Sequence, residues 1–89
     1  MAKKRRKLNK DFEKKIYSSK KNVELVLAKI YDIDDENIQK EYMGAFNEVV
    51  ILYDELRESY EEQGFNDNSE LLLTNYKNAF NLFESEFEI

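Results

Sequence analysis

The sequence predicts an all-α fold, an antiparallel three-helix bundle that follows a basic N-terminal arm. Apolar residues recur at steps of three and four over most of the 89 residues, which is the spacing of one face of an α-helix. The chain has no proline and only two glycines, so long uninterrupted helices are expected. Two short polar turns divide the periodic part into three helices, and short turns favour antiparallel neighbours. The length fits one domain.

The first nine residues are predicted to be a flexible basic arm, because they have no apolar periodicity before Leu8. Asn9 is a suitable N-cap for helix 1, and Asp11 lies in the first turn, where a negative charge interacts favourably with the helix dipole. The apolar spacing predicts that the bundle occupies residues 10–89, with helix 1 at about 10–32.

Helix 2, predicted at about residues 35–63, is the expected centre of the bundle. From Val49 to Tyr53 the sequence is apolar on almost all sides, which predicts packing partners on two sides of this helix. Asp34 or Asp35 is the expected N-cap, and Gly44 is expected to allow close contact with another helix. At 1.5 Å per residue, helix 2 would be ~43 Å long, more than helix 3 can cover, so its surplus length is expected either to be solvated or to pack against a second copy in a homodimer.

Helix 3 is predicted at about residues 68–86. Gly64 is expected to end helix 2 in a Schellman motif, with Phe65 making the accompanying hydrophobic contact. Asp67 and Glu70 are three residues apart, and they are expected to form a capping box at the start of helix 3.

The formal charge of −5 is divided very unevenly along the chain. Residues 1–22 hold ten Lys/Arg and two acids, a net charge of +8, whereas residues 23–89 hold four Lys/Arg and seventeen acids, a net charge of −13. Clustered basic side chains can neutralise phosphates with release of counterions. The candidates for binding a polyanion are Lys3, Lys4, Arg5, Arg6, Lys7, Lys10, Lys14 and Tyr17, the last through stacking.

Acidic residues are predicted to line the outer side of helix 2. Such carboxylates can imitate a phosphate track and occupy a basic groove on another protein. A solvated helix face is the alternative interpretation. The candidate partner-binding residues are Glu48, Asp54, Glu55, Glu58, Glu61 and Glu62.

The last residues alternate between apolar and acidic, which is typical of a strand that could add to the sheet edge of a partner. Phe83, Phe87 and Ile89 are the candidate docking residues of this tail. Because Phe83 and Phe87 also continue the 3/4 spacing of helix 3, the helical interpretation is favoured.

Composition excludes several chemistries. Without Cys or His, the chain has no thiolate site, no imidazole acid or base, and no Glu-x-x-His metal motif. A calcium loop beginning at Asp32 fails because its sixth residue is Asn37 instead of Gly and its twelfth is Met43 instead of Glu. We therefore expect no enzyme activity, no metal and no cofactor. No apolar segment is long enough to span a membrane, and a cytoplasmic location is expected.

The sequence favours a small non-enzymatic protein-binding module, an accessory or inhibitor protein of a phage or other mobile element. We expect its acidic surface to occlude a basic site on a target protein. One alternative is a nucleic-acid-binding accessory protein that uses the basic N-terminal arm. Another is an antitoxin or immunity protein, which would differ from the first only in its target.

Overall fold

The computed structural model describes residues 7–88, and this part of the chain is all-helical, with three helices and no strand. Helix α1 spans Lys10–Tyr31, α2 spans Glu36–Gln63 and α3 spans Asp67–Glu86. The prediction of an all-α class is confirmed. Each helix boundary lies within one residue of the position expected from the apolar spacing.

Local side chains cap the first two helices as predicted. Asn9 Oδ1 accepts a hydrogen bond from the Phe12 amide at 3.0 Å. Asp35 Oδ1 accepts from the amides of Asn37 and Ile38 at 2.9 and 3.1 Å. These bonds satisfy amides that have no partner inside the first helical turn.

The cap of α3 differs from the prediction, because the capping box uses Asn66 and Ser69 instead of Asp67 and Glu70. Asn66 Oδ1 accepts from the Ser69 amide at 2.9 Å, and Ser69 Oγ accepts from the Asn66 amide at 2.8 Å. The backbone of Asn66 is extended, with φ −158°, so the helix begins one residue after it and Ser69 becomes the third helical residue. Ser69 is fully buried, and burying the carboxylate of a Glu at residue 69 would be energetically costly.

The end of α2 also differs from the expected Schellman motif. Gly64 has φ 77° and ψ −159°, so only its φ is in the left-handed region and the chain leaves the helix in an extended direction. The Phe65 amide donates to the carbonyl of Lys7 at 2.6 Å instead of to the end of its own helix. The Phe65 ring packs edge-on against Phe12, with ring centroids 5.1 Å apart.

Residues 7–9, which were expected to belong to a flexible arm, are in contact with the bundle. Lys7 forms an isolated parallel bridge with Gly64. The Asn9 amide donates to the hydroxyl of Tyr60 at 3.0 Å, and that hydroxyl donates to the Glu13 carboxylate at 2.6 Å. The remaining basic residues of the predicted arm, Lys3, Lys4, Arg5 and Arg6, lie outside the described residues.

The core is built around α2, which packs against both α1 and α3. The Tyr60 ring lies 5.5 Å from that of Phe12 on α1, and the Phe46 ring lies 4.8 Å from that of Phe83 on α3. The wide apolar face of this helix therefore has two partners, as its sequence predicted. The buried apolar side chains are Phe12, Val23, Val26, Ile30, Phe46, Val49, Tyr53, Leu56, Tyr60, Leu73, Tyr76 and Phe83.

Gly44 does not mediate the close helix contact that was expected. It is exposed, and a Cβ built on it would meet no atom within 4 Å. At about 100° per residue, Gly44 lies ~200° round α2 from the buried Phe46, so it faces away from both neighbouring helices.

The substitution Gly44→Ala is expected to raise the free energy of unfolding by about 0.5–1 kcal/mol, because alanine is the better helix former and its methyl group has open space. Gly64→Ala is the matched control and should lower stability, since Gly64 has a positive φ. Urea unfolding followed by circular dichroism measures both. A lower stability of the Gly44→Ala protein would contradict the finding that residue 44 has open space for a methyl group.

Phe46→Ala is expected to lower the free energy of unfolding by about 3–5 kcal/mol, because the ring is fully buried against Phe80 and Phe83. The control is Ile51→Ala on the same helix, where the side chain is 48% exposed and a change within about 0.5 kcal/mol is expected. The same urea titration compares them. Equal effects of the two substitutions would contradict the core assignment.

Candidate functional site

The six predicted partner-binding carboxylates, called the acidic face here, lie on α2 away from its buried stripe. Glu55 and Glu62 each follow a buried tyrosine by two residues, which puts them ~200° round the helix from the core. Glu48, Glu55 and Glu62 are spaced by seven residues, so they form a line with steps of ~10 Å along the helix. All members of the acidic face are exposed except Asp54, which is half-buried.

Arg57 divides the acidic face into a paired and an unpaired part. Its guanidinium lies 3.7 Å from Asp54 and 3.3 Å from Glu61, and the side chains of these pairs are 41–60% exposed. Exposed pairs of this kind stabilise a fold by at most about 1 kcal/mol. Within residues 7–88, the other four members of the face form no ion pair. Their charge is therefore available to a partner.

The predicted polyanion-binding residues that the structure describes lie on or just before α1. Lys7 Nζ is 5.9 Å from the centre of the Phe65 ring, so this side chain lies over the turn between α2 and α3. Lys10, Lys14 and Tyr17 are exposed on α1, and the Tyr17 ring is 5.3 Å from Lys21 Nζ. Lys10, Lys14 and Tyr17 line one shallow surface together with Glu13 and Ser18.

An open groove between α1 and α3 brings together basic residues that were not grouped from the sequence. One part of it, about 440 Å³, is lined by Lys14, Lys15 and Lys77 among others. A second part, about 450 Å³, again includes Lys15 and Lys77. Lys77 is far from the basic N-terminus in sequence, so no local pattern could have joined it to the lysines of α1.

A buried tyrosine forms the floor of this groove. The hydroxyl of Tyr76 on α3 donates to the Ser19 carbonyl on α1 at 3.3 Å. Its ring also lies 6.1 Å from that of Tyr53 on α2. Burial removes water from the phenol and raises the pKa of Tyr76 to about 12, and burial likewise raises the pKa of Tyr53. Both hydroxyls therefore stay protonated to a higher pH than an exposed phenol does.

The described tail candidates pack against their own chain. Phe83 is 4% exposed, so it is a core residue and cannot dock on a partner, contrary to the sequence-based hypothesis. Phe87 follows the end of α3 with an extended backbone, stacks on Phe83 at 5.0 Å and contacts Tyr42 at 4.8 Å. The helical interpretation of the tail therefore holds to Glu86, and Ile89 lies outside the described residues.

Residues 7–88 contain no cluster of three or more His, Cys, Asp or Glu side chains that could hold a metal ion. The carboxylate of Asp35, within the segment considered as a calcium loop, accepts two backbone hydrogen bonds at the start of α2. Among the helices of this range, none combines the length and the apolar character needed to cross a membrane.

Comparison with protein-family models, with curated proteins and with solved structures found no match. The charges and contacts of the described residues are therefore the basis for a functional proposal. Two surfaces stand out among them, the acidic face of α2 and the groove between α1 and α3, whose lining includes three lysines and three carboxylates.

Tyr76→Phe is expected to make the protein more resistant to alkaline unfolding. Because the folded-state pKa of Tyr76, about 12, exceeds the ordinary value of 10.0, its stabilising effect is complete below pH 10 and is lost as the pH rises through 12. At pH 11 this loss amounts to about 1 kcal/mol in the unsubstituted protein. Urea titrations from pH 9 to pH 11 should show a smaller loss for Tyr76→Phe.

Tyr17→Phe is the control for this pH series, since Tyr17 is 58% exposed. It should lose stability in parallel with the unsubstituted protein. Identical pH profiles for all three proteins would contradict a pKa for Tyr76 above the ordinary value.

Proposed function

We propose that this protein is a small, cytosolic, non-enzymatic binding module that covers a basic site on a target protein with the acidic face of α2. The single observation that carries the proposal is the line formed by Glu48, Glu55 and Glu62 on the exposed side of a helix whose opposite side is buried. The absence of Cys and His from the whole sequence supports binding over catalysis.

An antiparallel bundle is the scaffold we infer for this face. Tyr42 near the start of α2 contacts Phe87 after the end of α3. Tyr60 near the end of α2 contacts Phe12 near the start of α1. Both contacts support opposite directions for neighbouring helices. Packing on two sides holds α2 rigidly, which reduces the entropy that its carboxylates would lose on binding.

The composition of the acidic face suits binding to a protein surface better than binding to a small ligand. Ile51 is 48% exposed, and Glu55 and Glu58 lie near it on the same side of the helix. An apolar contact with a polar rim is the usual anatomy of a protein interface. The surrounding charges would accelerate association with a positively charged partner and select against negatively charged ones.

A steric inhibitor or accessory protein of a phage or other mobile element fits this mechanism, because it needs only to block a basic site. An antitoxin or immunity protein would use the same physical interaction with a toxin as its target. The identity of the captured partner distinguishes these two possibilities.

A second candidate, a nucleic-acid-binding accessory protein, is favoured by the exposed lysines of α1 and by Tyr17. In this alternative, the basic N-terminal arm contacts phosphates and the helices form a dimerisation core. Four basic residues of that arm, Lys3 to Arg6, lie outside the described residues.

The proposal predicts that the triple variant Glu55→Lys, Glu58→Lys, Glu62→Lys loses its protein partner. The test is carbodiimide cross-linking in a lysate of the cells that encode the protein, followed by identification of the cross-linked peptides. Carbodiimide joins carboxylates to nearby lysines, so the expected products link the acidic face to lysines on one basic protein. Affinity for that purified partner should fall at least tenfold in the variant, as expected when charged interface contacts become repulsive.

The matched control reverses the charge of Glu24, Asp34 and Glu86, which are exposed and lie outside the acidic face. This control has the same change in net charge and should keep its affinity. If the two triple variants bind equally well, with unchanged helical content by circular dichroism, the acidic face is not the binding surface.

A further inference from the structure

The groove between α1 and α3, called the basic groove here, combines lysines from two distant parts of the sequence. Residues 23–89 contain only four Lys or Arg, and one of these, Lys77, lies beside Lys15 in both parts of the groove. Lys14 adds a third positive charge at the rim. Carboxylates occur toward the two ends, with Glu84 in one part and Asp11 and Glu70 in the other. The middle of the groove is therefore its positive segment.

The groove has the dimensions of a short stretch of nucleic-acid backbone. Its two parts share Lys15 and Lys77, and together they extend along α1 from Asn9 to Asn22. Thirteen helical steps correspond to ~20 Å. Phosphates of one strand are ~3.4 Å apart along the axis of a duplex and farther apart in an extended strand. Each lysine can neutralise one phosphate, so the three lysines can contact about three phosphates.

Repulsion by the acidic face does not oppose binding in this groove. No residue of α2 lines either part, and Tyr76 separates the groove from Tyr53 on α2. The acidic carboxylates lie on the far side of a helix bundle whose smaller extents are 22 and 18 Å. This thickness is more than twice the Debye length of ~8 Å at physiological ionic strength.

Tyr17 lies beside the groove on α1, about one helical turn from Lys14. It is 58% exposed, and its surface joins the groove through Lys14 and Ser18, which line both. Stacking of a base on an exposed aromatic ring contributes about 1–3 kcal/mol in proteins that bind single strands. The carboxylate side chains of an acidic peptide have no π-face that could stack on this ring.

We propose that the basic groove binds the phosphate backbone of single-stranded nucleic acid through Lys14, Lys15 and Lys77, with a base stacked on Tyr17. This activity is separate from the acidic face; it rests on the second candidate function above and deepens it by naming single-stranded nucleic acid as the ligand. The N-terminal arm can add affinity, but the contribution of Lys77 is specific to the groove.

The test is fluorescence anisotropy of the full-length protein with labelled 15-nucleotide DNA and RNA strands of mixed sequence, at 50 to 200 mM salt. Lys77→Glu should weaken binding about tenfold, as expected for the loss of one charge-assisted contact. It should also reduce the slope of log affinity against log salt by about 0.7, the value for one phosphate of a single strand. Lys77→Gln should show the same change in slope with a smaller loss.

Lys40→Glu is the matched control, because Lys40 is an exposed helical lysine on α2 that lines no part of the groove. It should change affinity less than twofold. Tyr17→Leu should weaken binding at least fivefold, as expected for the loss of one stacked base. Tyr31→Leu is the control, because Tyr31 is 69% exposed at the other end of α1, and this variant should not weaken binding.

Three results would overturn the proposal. The first is no binding of either strand at 50 mM salt. The second is an equal effect of Lys77→Glu and Lys40→Glu, which would indicate a general response to net charge. The third is competition by polyglutamate as effective as by unlabelled strand, which would assign the groove to an acidic protein segment. Circular dichroism confirms folding of each variant before these comparisons.

Discussion

Burial of the aromatic side of α2 is the interaction on which the rest of the structure depends. Phe46, Val49 and Leu56 are at most 2% exposed, and they leave water only when helices cover them on both sides. α2 consequently provides the packing surface for α1 and for α3. Its remaining exposed side carries the acidic face together with uncharged residues such as Asn47 and Ile51. Burial of the apolar side of α2 thus determines how the three helices pack. It also determines on which side of the bundle the acidic face lies.

The groove between α1 and α3 follows from the same arrangement. Both helices use their apolar sides mainly on α2, so the hydrogen bond from Tyr76 to the Ser19 carbonyl is a rare polar link between them. Space remains above this bond for long lysine side chains to stay hydrated. The three-helix geometry therefore places the acidic face and the lysines of the groove on opposite sides of a thin molecule. Under the two proposals above, a protein partner and a polyanion would approach the same bundle from different directions.

The sequence was sufficient for features that depend on nearby residues. Helical periodicity predicted the three helices and the position of the acidic face, and Asn9 and Asp35 were recognisable as caps because their partners lie two or three residues away. Asn66 and Asp67 both fit a capping pattern locally, and burial of Ser69 decided between them. The turn at Gly64 and the position of Lys77 were not predictable, since each depends on contact with a distant segment. No close contact explains why residue 44 is a glycine.

The hydrogen bond between the Phe65 amide and the Lys7 carbonyl has a consequence for the order of folding. It joins residue 7 to residue 65, so it closes a long loop and can form only after α1 and α2 have come together. The two helices can be native while this segment is still detached, which makes residues 7–9 a local opening unit with a lower free energy of opening than the core. In such openings the Asn9 and Phe65 amides lose their partners together, and Lys7 leaves the turn between α2 and α3 without any loss of the helical core.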